Sequence, residues 1–330
     1  MKLDEIKSIF DKNAIVLEQC AMYLNHTPDA MTAEQMKEIT GGESELEERS
    51  FALFLANIFF EDENEMTEFY KEYYSKGVKK LSPEDYTSDP YYKSIKIPQA
   101  QIDSWTLSNQ KYQPYEAFVY NDLLSSGYKE IPRIGFFEKE FSFPTVFENG
   151  VEWMAIKPNE IETMKEPIAK AHGSVLVCGL GLGYYAYMIS QKSNVSKITI
   201  VERDERAIRL FCDYILPQFD KKDKITIIKA DAIDYLREQA PKQELDFAFI
   251  DLWHDASDGV ELYIKIKKLE ALNSKIEYSY WIERTIISSI KASVFNSIYP
   301  KLKSGEVQKT EKELENMLSD EYIRELSKYL

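Results

Sequence analysis

The sequence predicts an α/β protein whose core is a mostly parallel sheet with helices on both faces. From residue 174 to about 256, short apolar runs alternate with helical patterns, which is the order of right-handed strand–helix–strand crossovers. Three glycines follow the first apolar run, where a glycine turn lets the backbone approach a ligand closely. Asn149-Gly150, between two apolar segments, predicts a β-hairpin because both residues accept positive φ.

We expect four regions along the chain. Residues 1–80 read as a helical N-terminal domain with its last helix over 64–80, and 81–157 as an irregular connector that includes the β-hairpin. The parallel sheet and its helices occupy 158–300, and 301–330 form a charged helical tail. Prolines interrupt residues 81–135, where aromatic side chains are dense. This segment is either a connector packed on the core or a wall or lid of a pocket.

The composition of the 330-residue chain limits its partners. A net charge of -15 repels phosphate backbones, so nucleic acid is not expected to bind. No apolar run is long enough to span a bilayer, and the N-terminus does not resemble a signal peptide. Three cysteines without paired spacing are typical of a reducing cytoplasm, and three histidines without clusters predict no metal site. We therefore expect a cytoplasmic protein that acts on a small molecule, away from membranes, with a homodimer as an open alternative.

Acidic residues end three of the predicted core strands. The strands and the acids that follow them are 198–201 with Glu202, 225–228 with Asp231, and 245–250 with Asp251. Ligands of parallel sheets bind at the carboxyl ends of the strands. An acid about 20 residues after a glycine turn is placed to accept ribose hydroxyls, so this edge predicts a nucleoside-containing ligand. The alternative role for Glu202 and Asp231 is to cap the helices that follow.

Residues 174–251 resemble the Rossmann-like core of class I S-adenosylmethionine-dependent methyltransferases. GLGLG at 179–183 is similar to the family's glycine motif, and Asp231-Ala232 to its adenine-edge motif. Residues 147–251 resemble the spermidine-synthase-like branch, which places a hairpin with an ENG-like turn and an E-x-x-M-like helix before the glycine strand. The resemblance implies S-adenosyl-L-methionine as cofactor, bound by Gly179, Leu180, Gly181, Gly183, Glu202, Arg203, Asp231, Ala232 and Asp251.

The chain departs from this resemblance at positions that normally carry acids. Val177 stands where many methyltransferases have an acid, and Leu182 where aminopropyl transferases have an aspartate. Those acids hold the amino end of the cofactor, so Asp251, Glu160 or backbone carbonyls are expected to hold it here. The catalytic Asp-Ser-x-Asp-Pro run of the branch reads DLWHD at 251–255, which argues against polyamine synthesis.

Methyl transfer from a sulfonium is an in-line displacement, so the protein supplies orientation, a dry site and sometimes a base. The candidate catalytic residues are Asp251, His254 and Asp255. Asp251 can accept a hydrogen bond from the cofactor or the nucleophile. The imidazole of a histidine can accept a proton near neutral pH, whereas the alternative for His254 is a solvated loop position.

A second cofactor fits the same glycines. Gly181-Leu-Gly183-Tyr-Tyr-Ala186 also matches the G-x-G-x-x-A pattern of NAD sites. We expect an S-adenosylmethionine-dependent methyltransferase acting on a small molecule. The alternatives are a non-catalytic protein that binds a nucleoside cofactor and a spermidine-synthase-like aminopropyl transferase.

Overall fold

The structure, a computed structural model, describes residues 1–330. The helices are α1 Leu3–His26, α2 Ala33–Thr40, α3 Glu47–Phe59, α4 Glu63–Phe69, α5 Ser75–Gly77, α6 Pro83–Thr87, α7 Pro90–Ser94, α8 Pro158–Lys170, α9 Tyr184–Ser190, α10 Glu205–Leu210, α11 Ala232–Glu238, α12 Ala256–Leu269, α13 Glu283–Ser304, α14 Glu311–Met317 and α15 Asp320–Leu326. The strands are β1 Val78–Leu81, β2 Ala100–Ile102, β3 Trp105–Tyr112, β4 Phe118–Val119, β5 Leu124–Ser126, β6 Lys129–Ile131, β7 Ile134–Phe137, β8 Phe141–Glu148, β9 Val151–Ala155, β10 Gly173–Cys178, β11 Val195–Glu202, β12 Ile225–Lys229, β13 Phe247–Ile250 and β14 Glu277–Tyr280. None of the helices combines the length and the apolar character that a membrane span requires.

Two compact units divide the chain, and each is assembled from separate segments. The first unit comprises Met1–Tyr86, Lys111–Ser142 and Val294–Leu314. The second comprises Thr87–Gln110, Phe143–Ser293 and Glu315–Leu330. Each unit therefore takes in segments that are far apart in the sequence.

The first unit has a core of helices and aromatic side chains. α1 follows the apolar stripe near the N-terminus and buries one face of side chains, namely Ile6, Phe10, Val16, Cys20 and Tyr23. Phe51 of α3 stacks on Phe136 of β7, with ring centroids 4.5 Å apart. α2 begins with a capping box formed by Thr32 and Gln35, and it ends at Gly41, whose φ is 65°.

The helix predicted over residues 64–80 ends earlier than expected. α4 continues through a π-helical segment, Tyr70–Tyr74, and α5 ends at Gly77. Val78–Leu81 forms β1 instead, paired in parallel with β7. A Cβ on Gly77 would lie 2.1 Å from the carbonyl oxygen of Pro132, so a segment distant in sequence crosses the chain closely here. This contact is absent from the local pattern that suggested a continuous helix.

Residues 81–135 are also more regular than the sequence predicted. They contain α6, α7 and strands β2 to β6, and the next strand, β7, lies between β1 and β4 in a three-stranded sheet. These strands are short, from two residues in β4 to eight in β3. Alternation over the two or three residues of β2, β4, β5 and β6 is too brief to recognise, even though β2 pairs with β3 and β5 with β6 close by in the sequence.

The predicted hairpin is confirmed. β8 and β9 pair antiparallel around Asn149 and Gly150, whose φ values are 51° and 80°. Arg206 of α10 binds Glu148 at 2.7 Å, which ties the end of β8 to the parallel sheet. α8 follows the hairpin and has Pro158 in its first turn, where a missing N–H costs nothing.

A five-stranded parallel sheet forms the core of the second unit. The strand order is β12-β11-β10-β13-β14, and every neighbouring pair is parallel. Helices α9 to α12 connect the successive strands. β10 lies in the middle, with the next two strands on one side and the last two on the other, as in Rossmann-like sheets. The predicted parallel α/β core is confirmed, and its topology creates a crevice at the carboxyl end of β10.

The end of the chain is helical, as predicted, but it is not wholly a surface tail. Ile323 and Ser327 at the end of the chain are fully buried. Arg324 donates from Nε to the Glu283 carboxylate at 3.2 Å. α15 is therefore an integral part of the second unit.

Candidate functional site

A cavity of about 380 Å³ lies at the carboxyl edge of the parallel sheet in the second unit. Its walls come from the β9–α8 segment, from the glycine turn and from the ends of β11, β12, β13 and β14. The predicted residues that line it are Glu160, Gly179, Leu180, Gly181, Glu202, Arg203, Asp231, Ala232, Asp251 and His254. No residue between 81 and 135 is among the lining residues, so this segment forms no wall of the cavity.

The glycine turn at the end of β10 is packed too closely for side chains. A Cβ on Gly179 would lie 2.0 Å from the carbonyl oxygen of Asp251, and φ at Gly179 is 103°. A Cβ on Gly181 would lie 1.9 Å from the Sδ atom of Met154, which also accepts the Leu182 N–H at 3.1 Å. Gly183 does not reach the cavity, because it begins α9 and packs against Phe211.

Glu202 is held in a fixed orientation at the end of β11. Its Oε2 accepts the Leu180 N–H at 3.3 Å, and its Oε1 accepts the Asp204 N–H at 2.8 Å. A carboxylate oxygen has two lone pairs, so each oxygen keeps one acceptor site for a ligand. Glu202 caps no helix, since the N-cap of α10 is Asp204. The capping alternative therefore does not apply to this residue.

Asp231 does cap a helix. Its Oδ1 accepts the N–H groups of Ile233 and Asp234 at the start of α11. The same residue lines the cavity together with Ala232 and the exposed Arg203. The cap orients the carboxyl group and leaves Oδ2 outside these two hydrogen bonds, so capping and ligand contact are compatible.

Two further carboxyl groups lie close enough to affect each other's ionisation. Burial, reinforced by the negative charge of Glu202, raises the pKa of Asp251 to about 7. Burial likewise raises the pKa of Glu160 well above its ordinary value, and the Asp251 charge adds to this while Lys157 opposes it. Together they favour either a shared proton or a bound cation, since a cation between them stabilises both charges.

The three catalytic candidates are placed differently. Asp251 and His254 line the cavity, whereas Asp255 does not, because its carboxylate caps α12 and accepts the Ser257 N–H at 2.7 Å. The exposed His254 ring lies edge-on to Trp153, with centroids 4.6 Å apart. Its Nδ1 is 3.2 Å from the carboxylate of Asp258.

Sequence reasoning missed most of one wall. The lining residues not singled out as site residues include Glu152, Trp153, Met154, Lys157, Asn159, Leu262 and Trp281. Trp281 directly follows β14, so the rule that selected the acids at strand ends would have found it. Its indole N–H donates to the Thr163 hydroxyl at 3.0 Å, which fixes the ring against α8. The hairpin residues offered no such signal, because their approach to the sheet is a tertiary contact.

The lining is acidic. Five carboxyl residues stand against two permanent cations, Lys157 and Arg203. Lys157 is itself paired with Glu152, its Nζ 2.6 Å from the Oε1 atom. The cavity is therefore suited to a ligand with positive charge and poorly suited to a polyanion.

Comparisons with known proteins add little to this geometry. No family model matches the chain, and no curated protein matches it. A solved structure that matches is the crystal structure of spermidine synthase from Thermotoga maritima, at 15% identity and a TM-score of 0.31. The match covers 45% of this chain and about half, 55%, of that chain. At that TM-score the likeness supports no argument, so fold and site are assigned from the strand order, the register and the cavity.

Proposed function

We propose that the protein binds S-adenosyl-L-methionine and transfers its methyl group to a small molecule. The observation that carries the proposal is the placement of Glu202. Its carboxylate ends the strand next to the glycine turn, is oriented by two backbone N–H groups and faces the cavity. A carboxylate so held can accept both ribose hydroxyls of an adenosyl group. Asp231 and Ala232 lie at the neighbouring strand end, where the adenine ring would then fit.

The charge of the cavity favours this cofactor over NAD. An adenosyl sulfonium carries a positive charge, which the carboxylates of Glu202 and Asp251 attract. NAD would place a pyrophosphate with two negative charges beside the same carboxylates. In the glycine turn, the N–H groups of Leu182 and Gly183 offer no compensation, because Leu182 donates to the Sδ atom of Met154 and Gly183 donates to the carbonyl of Leu180. NAD is therefore the disfavoured alternative.

In the proposed reaction the protein orients the acceptor and receives its proton. The cofactor supplies a methyl group that its sulfonium already activates, so no residue has to activate it. His254 is the proposed base, because donation from Nδ1 to Asp258 leaves Nε2 to accept a proton from the nucleophile. Trp253 and Trp281 form an aromatic wall, joined by the hydrogen bond from the Trp253 indole N–H to the Trp281 carbonyl at 3.3 Å. Such a wall keeps water from the reacting atoms.

Calorimetric titration tests the binding step. We expect S-adenosylhomocysteine and S-adenosylmethionine to bind, and NAD not to bind. Glu202→Gln should weaken S-adenosylhomocysteine about 10- to 100-fold, because hydrogen bonds to a charged acceptor are worth about 1.5–3 kcal/mol. The control is Glu205→Gln, which alters an exposed acid that pairs with Lys229 outside the cavity and should leave affinity unchanged. Binding of NAD without binding of either adenosyl compound would refute the proposal.

Transfer of a labelled methyl group to a panel of small molecules tests the second step. A labelled product supports the methyltransferase. Binding without any product across the panel identifies the non-catalytic alternative. Turnover only with the decarboxylated cofactor and a diamine identifies the aminopropyl transferase.

A further inference from the structure

Glu160 is a buried carboxyl group without a partner in the protein. It lies in the first turn of α8, is only 7% exposed and lines the cavity. No hydrogen bond or ion pair reaches its carboxylate, and Lys157, the cation whose charge acts on it, is paired with Glu152. Burying an acid without a donor costs several kcal/mol in general, so such a group in a cavity wall points to a ligand.

The neighbouring residue repeats the pattern. Asn159 also lines the cavity, and its side-chain oxygen Oδ1 is buried and accepts no hydrogen bond. Two consecutive residues in the first turn of α8 thus have side-chain oxygens that accept no hydrogen bond from the protein. Their backbone carbonyls are engaged, because the Thr163 hydroxyl lies 2.7 Å and 3.3 Å from the two oxygens. The side-chain oxygens of Glu160 and Asn159 therefore need hydrogen-bond donors, which a ligand can supply.

We propose that Glu160 and Asn159, together with Asp251, hold the α-ammonium group of the adenosyl cofactor. This inference rests on the proposed function and assigns one end of the same ligand. An ammonium group brings one positive charge and three N–H donors, which matches two carboxylates and one amide oxygen. The usual acids are absent, since Val177 and Leu182 are buried apolar residues. The acceptors on α8, which line the same cavity as the glycine turn, take over their role.

The test compares two ligands that differ only in the ammonium group. Wild type and Glu160→Gln are titrated with S-adenosylhomocysteine and with its analogue in which hydrogen replaces the α-amino group. We expect Glu160→Gln to weaken S-adenosylhomocysteine about 10- to 100-fold and the deaminated analogue less than twofold. Glu162→Gln is the control, because Glu162 lies on the same helix, pairs with Lys165 and does not line the cavity.

A second variant keeps the inference testable if Glu160→Gln does not fold. Asn159→Ala removes a neutral acceptor and should weaken S-adenosylhomocysteine about 3- to 10-fold, again without an effect on the deaminated analogue. Equal losses for both ligands, or no loss for either, would overturn the inference while wild-type binding keeps the proposed function intact. Wild type that binds neither ligand would overturn both.

Discussion

Asp251 shows how one residue can serve both the fold and the site. Its backbone N–H donates to the Cys178 carbonyl at 2.9 Å, and its own carbonyl leaves no room for a side chain on Gly179. Its carboxyl group faces the cavity beside Glu202 and Glu160, with a pKa of about 7. The backbone of Asp251 thus holds the glycine turn in place, while burial and the nearby charge of Glu202 disfavour ionisation of its side chain.

The raised pKa of Asp251 predicts how the free energy of unfolding depends on pH. The pKa of Asp251 rises from 3.8 to about 7 on folding, so between these values the folded state retains a proton that the unfolded state has released. The contribution of Asp251 to stability is therefore fully present below pH 4 and is lost as the pH rises through 7. We expect Asp251→Asn to be more stable than wild type at pH 8, by on the order of 2 kcal/mol, and similar at pH 4.

Urea unfolding of the free protein at both pH values measures this difference. Asp246→Asn tests whether the effect is specific, since Asp246 lies at the opposite end of the sheet and accepts the Ser174 N–H at 2.7 Å. That variant should not gain stability at pH 8. A wild-type protein that gains stability relative to Asp251→Asn as the pH rises would contradict the assigned direction.

The glycine turn is the element that joins the sheet to the cavity. Gly179 faces the backbone carbonyl of Asp251, directly after β13, where the chain is held to the sheet by the Asp251 N–H, whereas Gly181 faces the end of the flexible Met154 side chain. Positive φ adds strain for any L-residue at both positions.

We therefore expect Gly179→Ala to destabilise the protein more than Gly181→Ala. The first should cost about 3 kcal/mol or more, because strain and a backbone clash combine, and the second about 1–2 kcal/mol. Chemical denaturation of the two variants measures the difference, with Gly127→Ala as a reference for positive φ in open space. Equal costs for the two turn variants would show that the Asp251 carbonyl moves freely.

At the scale of the whole molecule, each unit is completed by distant parts of the chain. The second unit takes its last segment from residues 315–330, where α15 buries Ile323 and pairs Arg324 with Glu283. The sequence predicts only a charged tail here, because charged residues far outnumber the few apolar side chains that are buried.

Ile323→Ala should lower the free energy of unfolding by about 2–5 kcal/mol, as expected for a fully buried side chain. Tyr329→Ala, which alters a side chain that is 82% exposed only six residues later, should change it by less than about 0.5 kcal/mol. Thermal or urea unfolding followed by tryptophan fluorescence compares the two. A negligible effect of Ile323→Ala would show that α15 contributes nothing to the unit.

The parallel core of the fold and the part of the candidate site at the strand ends could be predicted because their signals are local. Alternating apolar runs indicated the parallel strands, and acids at strand ends indicated Glu202, Asp231 and Asp251. Asn149-Gly150 predicted the hairpin, since positive φ is a property of those residue types. The strand over 78–81 was missed because its partner β7 is far away in sequence. Strands β2, β4, β5 and β6 were missed because two or three residues are too few to show an alternation.

The sequence by itself determined the order of strands and helices in the parallel core, the glycine turn and the edge of the sheet where a ligand should lie. These features depend on residues that are neighbours in the sequence, through the spacing of apolar side chains and the residue types at turns. Only the tertiary structure decided that Met154 covers the glycine turn, that Asp255 caps a helix outside the cavity, and that Glu160 and Asn159 face the cavity unpartnered. Burial and the presence or absence of a partner depend on all the surrounding segments, and no local pattern encodes them.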